Sequence, residues 1–339
     1  MTSIDVGMAS YQYGRFLRQS AMSVLDQDVP NLRLLIIDNA STDGSQEIAK
    51  EIAAADSRVT LYLNEHNRGY HDSVNRAFDW ASADYFVLFD ADDVLPPGAL
   101  ARGAAFLDEH PDVAFLYGVE GRLVDGLLDP GRCDPAVPRW NIVEGADFIR
   151  RTCLDSFCDV EYPAVMRRTA AQKKAGHFRP EIITSDFEMY LRLAMVGDVA
   201  STNQLLGIRR MHGAQMSTPH IERAVEDFKD HEAAFASFFA HEGAALEDAE
   251  ELEAMARRKM GDRAYWYAMW QLIHGRPEAR EAFEFAAERR TAPSWVPPTA
   301  FLLKKRWLRS LQRAGRRAMR KPTPLSPSDP VPEIRLAAS

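Results

Sequence analysis

Three carboxylates crowd the end of one apolar run. Residues 85–100 read YFVLFDADDVLPPGAL, so Phe86–Phe89 give way at once to Asp90, Asp92 and Asp93. Hard cations such as Mg2+ and Mn2+ prefer carboxylate oxygen, and Mg2+ is commonly held by one or two carboxylates together with substrate phosphates. An Asp-x-Asp at a strand end supplies such a pair. The competing use of these acids is helix capping, because Asp suits an N-cap and Pro96 and Pro97 suit a first helical turn. Capping explains one acid well and three poorly, and Asp93 is the acid it fits best.

Other polar segments carry chemistry of the same kind. LLIIDNASTDGS (34–45) ends a second apolar run in Asp38. Turn and cap chemistry accounts for Ser41, Thr42 and Asp43. It leaves Asp38 over, a carboxylate able to accept from a base N–H or a ribose hydroxyl. In HNRGY (66–70), Gly69 suits a tight turn. Arg68 is either a phosphate contact or an ordinary solvated arginine. In TSDFEMYLRLA (184–194), Asp186 is either a helix cap or a general base that takes a proton from a hydroxyl. Glu188 and Arg192 are spaced as an i, i+4 ion pair. GIRRMHGAQMS (207–217) brings Arg209, Arg210 and His212. A lone histidine is more often structural, but a basic pair beside a carboxylate cation site also reads as diphosphate and metal binding.

These residues need elements to position them. Short β-rich runs at Ile4–Met8, Leu34–Ile37, Val59–Leu63, Tyr85–Phe89 and Val113–Tyr117 alternate with helical patterns at Arg15–Leu25, Ser45–Ala55, Ser73–Ala81 and Gly98–Glu109. That order predicts a doubly wound, mostly parallel sheet with helices on both faces. Ligands of such sheets gather at the carboxyl ends of the strands. The residues that follow the runs are the polar ones: Ser10 and Tyr11, then Asp38–Ser45, Asn64–Tyr70 and Asp90–Asp93. The first strand leads into MASYQYGRF, which has neither GxGxxG nor a P-loop, so a dinucleotide or P-loop site is not supported.

Further on the pattern weakens. Residues 120–145 read as a surface excursion, 145–156 as a helix, 187–195 as another, and 220–290 as helical with a turn at HGRP (274–277). The tail from Lys321 is Pro- and Ser-rich and reads as disordered.

The chain has 339 residues, 46% hydrophobic, with a net charge of -8. A globally basic nucleic-acid binder is disfavoured, so no nucleic-acid partner is expected. Residues 301–321 depart from the average, with nine Lys or Arg and no acid. Leu303, Trp307, Leu311, Ala314 and Ala318 recur there at helical spacing. The pattern fits a helix lying on an anionic membrane surface, and equally a basic helix docked on the acidic body. Three unpaired-looking cysteines, no apolar leader and no run of about 20 apolar residues make the cytosol the expected compartment, with a peripheral place on the inner membrane face if the basic helix binds lipid.

Taken in order, the segments resemble family 2 glycosyltransferases, inverting enzymes of the GT-A fold. The matching stretches are MASYQYGRFLRQSAMSVLDQ, LLIIDNASTDGS, NRGYHDSVNRAF, YFVLFDADDVLPPGAL, SDFEMYLRLA and RRMHGAQMS, over roughly residues 3–217. The resemblance implies a GT-A domain over 1–219, with a donor half to about 120 and an acceptor half from 121. A helical region (220–295), a basic amphipathic helix (296–321) and a disordered tail (322–339) would follow. It implies that Asp38 holds the nucleobase with Ser10 and Tyr11, and that Arg68 and Arg210 help hold the nucleotide. Asp90 would lie near the ribose, Asp92 would bind Mn2+ or Mg2+, His212 would add a metal ligand, and Asp186 would be the general base. The expected donor is a nucleoside diphosphate sugar, UDP-linked by first expectation. The acceptor would be a glycan, a lipid-linked glycan or a small molecule.

Two departures stand out. Met8-Ala9-Ser10-Tyr11-Gln12 replaces the family's Pro-Thr-Tyr-Asn, and Ser185 stands where a Glu commonly precedes the base. Two other readings remain: a sugar-1-phosphate nucleotidyltransferase, which would want a Gly-rich basic loop where YQYGRF stands, and a nucleotide-sugar-binding module without catalysis.

Overall fold

The computed structural model describes residues 2–134, 136–213, 215 and 224–290, with the backbone of Arg335–Leu336. The expected basic helix at 296–321, and the tail at 322–339 apart from those two residues, lie outside the described residues.

The first half alternates as its periodicity predicts: β1 (Ser3–Ser10), α1 (Gly14–Leu25), β2 (Asn31–Asp38), α2 (Ser45–Ala55), β3 (Val59–Leu63), α3 (Tyr70–Trp80), β4 (Tyr85–Asp90) and α4 (Ala99–Glu109). The strands pair in the order β3-β2-β1-β4, all parallel. β2 and β4 are apolar at successive positions because both faces of the sheet are covered. Successive side chains point to opposite faces, so Leu34, Ile36, Val87 and Phe89 join one core with α1 and α4, while Leu35, Ile37, Phe86 and Leu88 join the other with α3. α3 sits very close to β1: a Cβ at Gly7 would lie 2.6 Å from that of Ala77.

Beyond β4 the sheet is mixed. The next elements are β5 (Val113–Val124), β6 (Leu127–Asp129), β7 (Trp140–Val143), α5 (Gly145–Asp155), β8 (Val165–Arg168), α6 (Thr169–Ala175), α7 (Ser185–Ala194) and β9 (Asp198–Met211). β8 runs antiparallel between β4 and β5, and β9 runs parallel to β5 along its length. The surface excursion expected at 120–145 is therefore corrected in part. β5 continues to Val124 and turns back as β6, and β7 pairs antiparallel with β9. β9 was illegible because Ser201–Gln204 interrupt it with polar residues. Those side chains hold the neighbouring loop: Asn203 Oδ1 accepts from Arg139 N–H at 2.8 Å, and Gln204 Nε2 donates to the Asp134 carbonyl at 2.8 Å.

The remaining described elements are α8 (Ala224–Ala240), a 3-10 turn (Glu242–Ala245), α9 (Ala249–Ile273), α10 (Ala279–Arg289) and the two-residue strand β10 (Arg335–Leu336), which pairs with β6. These helices share one apolar cluster with α3, α5 and α7. Glu188, fully buried, accepts from Arg179, from Arg192 at 3.0 Å and from Ser237 at 2.7 Å, which ties α7 to α8. The i, i+4 pair expected of Glu188 and Arg192 is among these contacts.

Candidate active site

The parallel register brings the polar strand ends to one edge. Ser10 lies opposite Asp38, and Ala9 lies opposite Asp90. Asp38 is fully buried, and its Oδ1 accepts from Ser41 N–H at 2.8 Å. Its Oδ2 and the Oγ of Ser10 are buried and have no protein hydrogen-bond partner. Two such atoms at adjacent strand ends could hold a polar ligand, because an unmade buried hydrogen bond costs about 1–3 kcal/mol. Tyr11 is exposed beside them.

The surrounding loops are tied to each other. Gln12 N–H donates to Ser41 Oγ at 2.9 Å, and Asp43 accepts from the N–H of Gly14 at 2.9 Å and of Ser45 at 3.1 Å, holding the starts of α1 and α2 together. Asn39 joins the β2 and β3 loops. Its Oδ1 accepts from Asn64 Nδ2 and from Arg68 N–H, each at 2.9 Å, and its Nδ2 donates to Asn67 Oδ1 at 2.8 Å. Gly69, at φ 87°, makes the turn that Arg68 enters. The Arg68 guanidinium is half-exposed and pairs with Asp72 at 3.0 Å.

Asp90, Asp92 and Asp93 place ligand oxygens within 4.8 Å of one another. Asp90 Oδ1 accepts from Tyr162 at 3.2 Å and from Tyr70 at 3.3 Å. Asp92 Oδ2 lies 2.9 Å from His212 Nε2. Burial, and then the charge of Asp92, push the Asp90 carboxyl up to about 7. Burial, then Asp92 and Asp90, push Asp93 well above the carboxylate range. Three clustered carboxylates, two of them raised by burial and by the charge of Asp92, form an oxygen donor set that could hold a cation. Mg2+ and Mn2+ fit that set.

Asp93 does not cap a helix, which corrects the expectation. α4 begins at Ala99 after Gly98, whose φ of 70° suits glycine. Asp93 is buried instead, with Oδ1 accepting from Arg210 N–H at 3.0 Å.

The two arginines of β9 face opposite ways. Arg210 is buried: its Nε donates to the Asp92 carbonyl at 2.8 Å, its Nη2 to Gln19 at 2.5 Å, and its guanidinium lies 4.7 Å from the Phe16 ring centre. Arg209 lies on the acids' side. Burial opposes its charge, but Glu120, Asp93, Asp90 and Asp186 outweigh burial and raise its pKa. His212 packs against Phe16 at 4.7 Å and edge-on to Tyr13 at 5.8 Å.

Asp186 is the second residue of α7, half-buried, with Oδ1 accepting from Phe187 N–H at 2.8 Å. The residue before it, Ser185, bonds His71 at 2.7 Å, and the residue before His71, Tyr70, bonds Asp90, which links the start of α7 to the Asp90 cluster through α3. The structure thus brings Ser10, Asp38, Asp90, Asp92, Asp186 and His212 to one edge. It leaves Tyr11 and Arg68 on the rim and turns the Arg210 side chain into the packing behind the three carboxylates. Sequence reasoning passed over Asn39, Tyr70 and Tyr162. It named Arg209 but placed its nearer neighbour in the site, where strand alternation would have separated the two.

Comparison with known proteins agrees with this geometry. The model of the family described as Glycosyl transferase family 2 matches residues 5–173. EpsE of Bacillus subtilis (strain 168) is 34% identical over 139 residues, 38% of this chain and 50% of that protein. The Escherichia coli UDP-Glc:alpha-D-GlcNAc-diphosphoundecaprenol beta-1,3-glucosyltransferase WfgD is 29% identical over 115 residues, 34% of this chain and 44% of that protein. The chain thus spans half or less of the length of these curated relatives. Among solved structures, the mannosyltransferase PcManGT from Pyrobaculum calidifontis, in complex with GDP-Man and Mn2+, superposes with a TM-score of 0.57 at 18% identity, over 93% of this chain and 82% of that one. S. aureus TarS 1-349 in complex with UDP gives 0.53 at 17% identity, over 85% and 89%. At such identities these two share the fold, the GT-A type.

Proposed function

The chain belongs to glycosyl transferase family 2 through its residues 5–173, and from that premise we propose that it transfers a sugar from a nucleoside diphosphate sugar to an acceptor hydroxyl with inversion. The observation that carries the reading is the pairing of two features at one sheet edge. The unpartnered buried oxygens of Ser10 and Asp38 lie beside a cluster of three carboxylates.

Each residue then has a task its chemistry suits. Asp38 Oδ2 accepts from the nucleobase, and Ser10 bonds the same ring, with Tyr11 covering it. Arg68 meets the nucleotide from the rim once it leaves Asp72. Asp90 and Asp92 would hold Mn2+ or Mg2+, with His212 as a further ligand or as the partner that fixes Asp92. The ion, when bound, neutralises charge on the diphosphate leaving group. Arg209 adds a fixed positive charge on the same side. Asp186 takes the proton of the acceptor hydroxyl as its oxygen attacks the anomeric carbon. In-line attack opposite the leaving group gives inversion.

The donor is a UDP-sugar in this reading, in keeping with the UDP of the TarS complex and the UDP-Glc of the WfgD name. The WfgD acceptor is lipid-linked, so a lipid-linked or glycan acceptor in cell-surface polysaccharide synthesis is the favoured class. The basic pattern of 301–321 would hold the enzyme at an anionic membrane face. No described helix is long and apolar enough to cross a membrane.

A thermal-shift screen of nucleotide sugars with Mn2+, followed by product detection with the best donor, tests the reading. Stabilisation by a nucleoside diphosphate sugar and a metal-dependent glycoside product are expected. Release of pyrophosphate from a nucleoside triphosphate would instead mark a nucleotidyltransferase, and binding without product would mark a binding module.

A further inference from the structure

We infer that the first turn of α3 sets the position of Asp186 relative to Asp90, with His71 as a positioning residue for the base; this rests on the transferase reading above. Tyr70 and His71 are consecutive and hold opposite sides of the site. Tyr70 donates to Asp90 Oδ1 at 3.3 Å. His71 Nε2 lies 2.7 Å from the Oγ of Ser185, the residue before Asp186. Ser185 is buried and gives its only hydroxyl proton to the Ile182 carbonyl. The ring must therefore donate, and the serine oxygen accepts.

The grip continues along the same face of α3. Asn75, one turn on, donates to the Phe178 carbonyl at 3.0 Å and accepts from Phe178 N–H at 2.7 Å. The Phe178 ring packs edge-on to His71 at 5.9 Å and to Phe78 at 5.3 Å. His71, Asn75 and Phe78 thus hold the segment that leads from Phe178 into α7. α3 itself is seated hard on β1 through Ala77 and Gly7.

Asp186 depends on that seating. Asp186 is half-buried and its carboxylate bonds the N–H of the next residue, so its place follows from where the first turn of α7 is held. The loop carrying Arg68 runs directly into α3. One helix therefore links the nucleotide loop, the acid at the end of β4 and the base on α7. Reacting groups must be held to a fraction of an ångström for transfer, and a shift of about 1 Å can cost about 100-fold in rate.

The experiment compares wild type, His71→Ala and His71→Gln by sugar-transfer kinetics, uridine diphosphate binding with Mn2+, and hydrogen exchange. His71→Ala is expected to lower kcat at least about tenfold, with donor KM and uridine diphosphate affinity within about twofold of wild type. Exchange should rise over 178–187 and stay unchanged over 86–92. His71→Gln, whose amide can donate to the same hydroxyl, is expected to recover most of the rate. Wild-type kcat in His71→Ala would overturn the inference, as would an equal fall in kcat and nucleotide binding in both variants. If wild type transfers no sugar at all, the transferase reading fails separately, and unchanged exchange over 178–187 in His71→Ala overturns the positioning role by itself.

Discussion

His212 Nε2 lies 2.9 Å from Asp92 Oδ2, and both side chains are buried. A histidine held on a carboxylate of an oxygen-rich cluster either joins the ion's ligands or fixes the carboxylate that does. Loss of such a partner typically weakens metal affinity by about 10-fold to 100-fold. His212→Ala is expected to raise the Mn2+ concentration for half-maximal activity by about that factor, and chelator is expected to abolish activity in wild type. An unchanged Mn2+ titration in the variant would refute the role.

Asp38 presents the opposite situation, a buried carboxylate oxygen with no protein partner. Asp38→Asn keeps an oxygen acceptor for Ser41 N–H and removes the charge, so denaturant unfolding of the ligand-free protein should change by less than about 1 kcal/mol. The same change should weaken uridine diphosphate binding about tenfold, the worth of one charge-assisted hydrogen bond. Isothermal titration and urea melts measure the two effects. Weaker binding together with a free protein destabilised by more than that would show that the orphan oxygen does not await a ligand.

Arg209 and Arg210 are neighbours with different tasks. The Arg210 side chain is bound by Asp92, Gln19 and Phe16, so Arg210→Ala should cost at least about 2 kcal/mol of stability by leaving buried groups unpaired. Arg209 faces Glu120 and the acid cluster. Arg209→Ala should lower the melting temperature less than Arg210→Ala, since its ion pair with Glu120 is a 3.8 Å contact, and lower kcat by about tenfold or more. Melting curves and initial rates on both variants decide the matter, and the reverse pattern would exchange the assignments.

The first half of the site was legible because β2 and β4 are apolar runs cut off by an acid. Asp38 and Asp90 stand out where Ile37 and Phe89 end, and parallel strands bring such ends to one edge. Asp93 misled because Pro96, Pro97 and an acid look like a helix start, whereas the chain turns first and buries Asp93 under Arg210. β9 was hidden because its central polar residues serve the 134–139 loop, a tertiary demand with no period of its own. Tyr162 lies in irregular chain, and only β8 running antiparallel beside β4 carries it to Asp90. His71 was unreadable for the same reason: its partner Ser185 is 114 residues away.

Asp186→Asn, assayed with the best donor and Mn2+, separates a carboxylate that takes the acceptor proton from one that only shapes the site. The amide keeps size and polarity but takes no proton, so donor KM and uridine diphosphate affinity should stay within about twofold, while kcat falls by about 100-fold or more, the usual contribution of a general base. Turnover near the wild-type rate in that variant would remove Asp186 as the base.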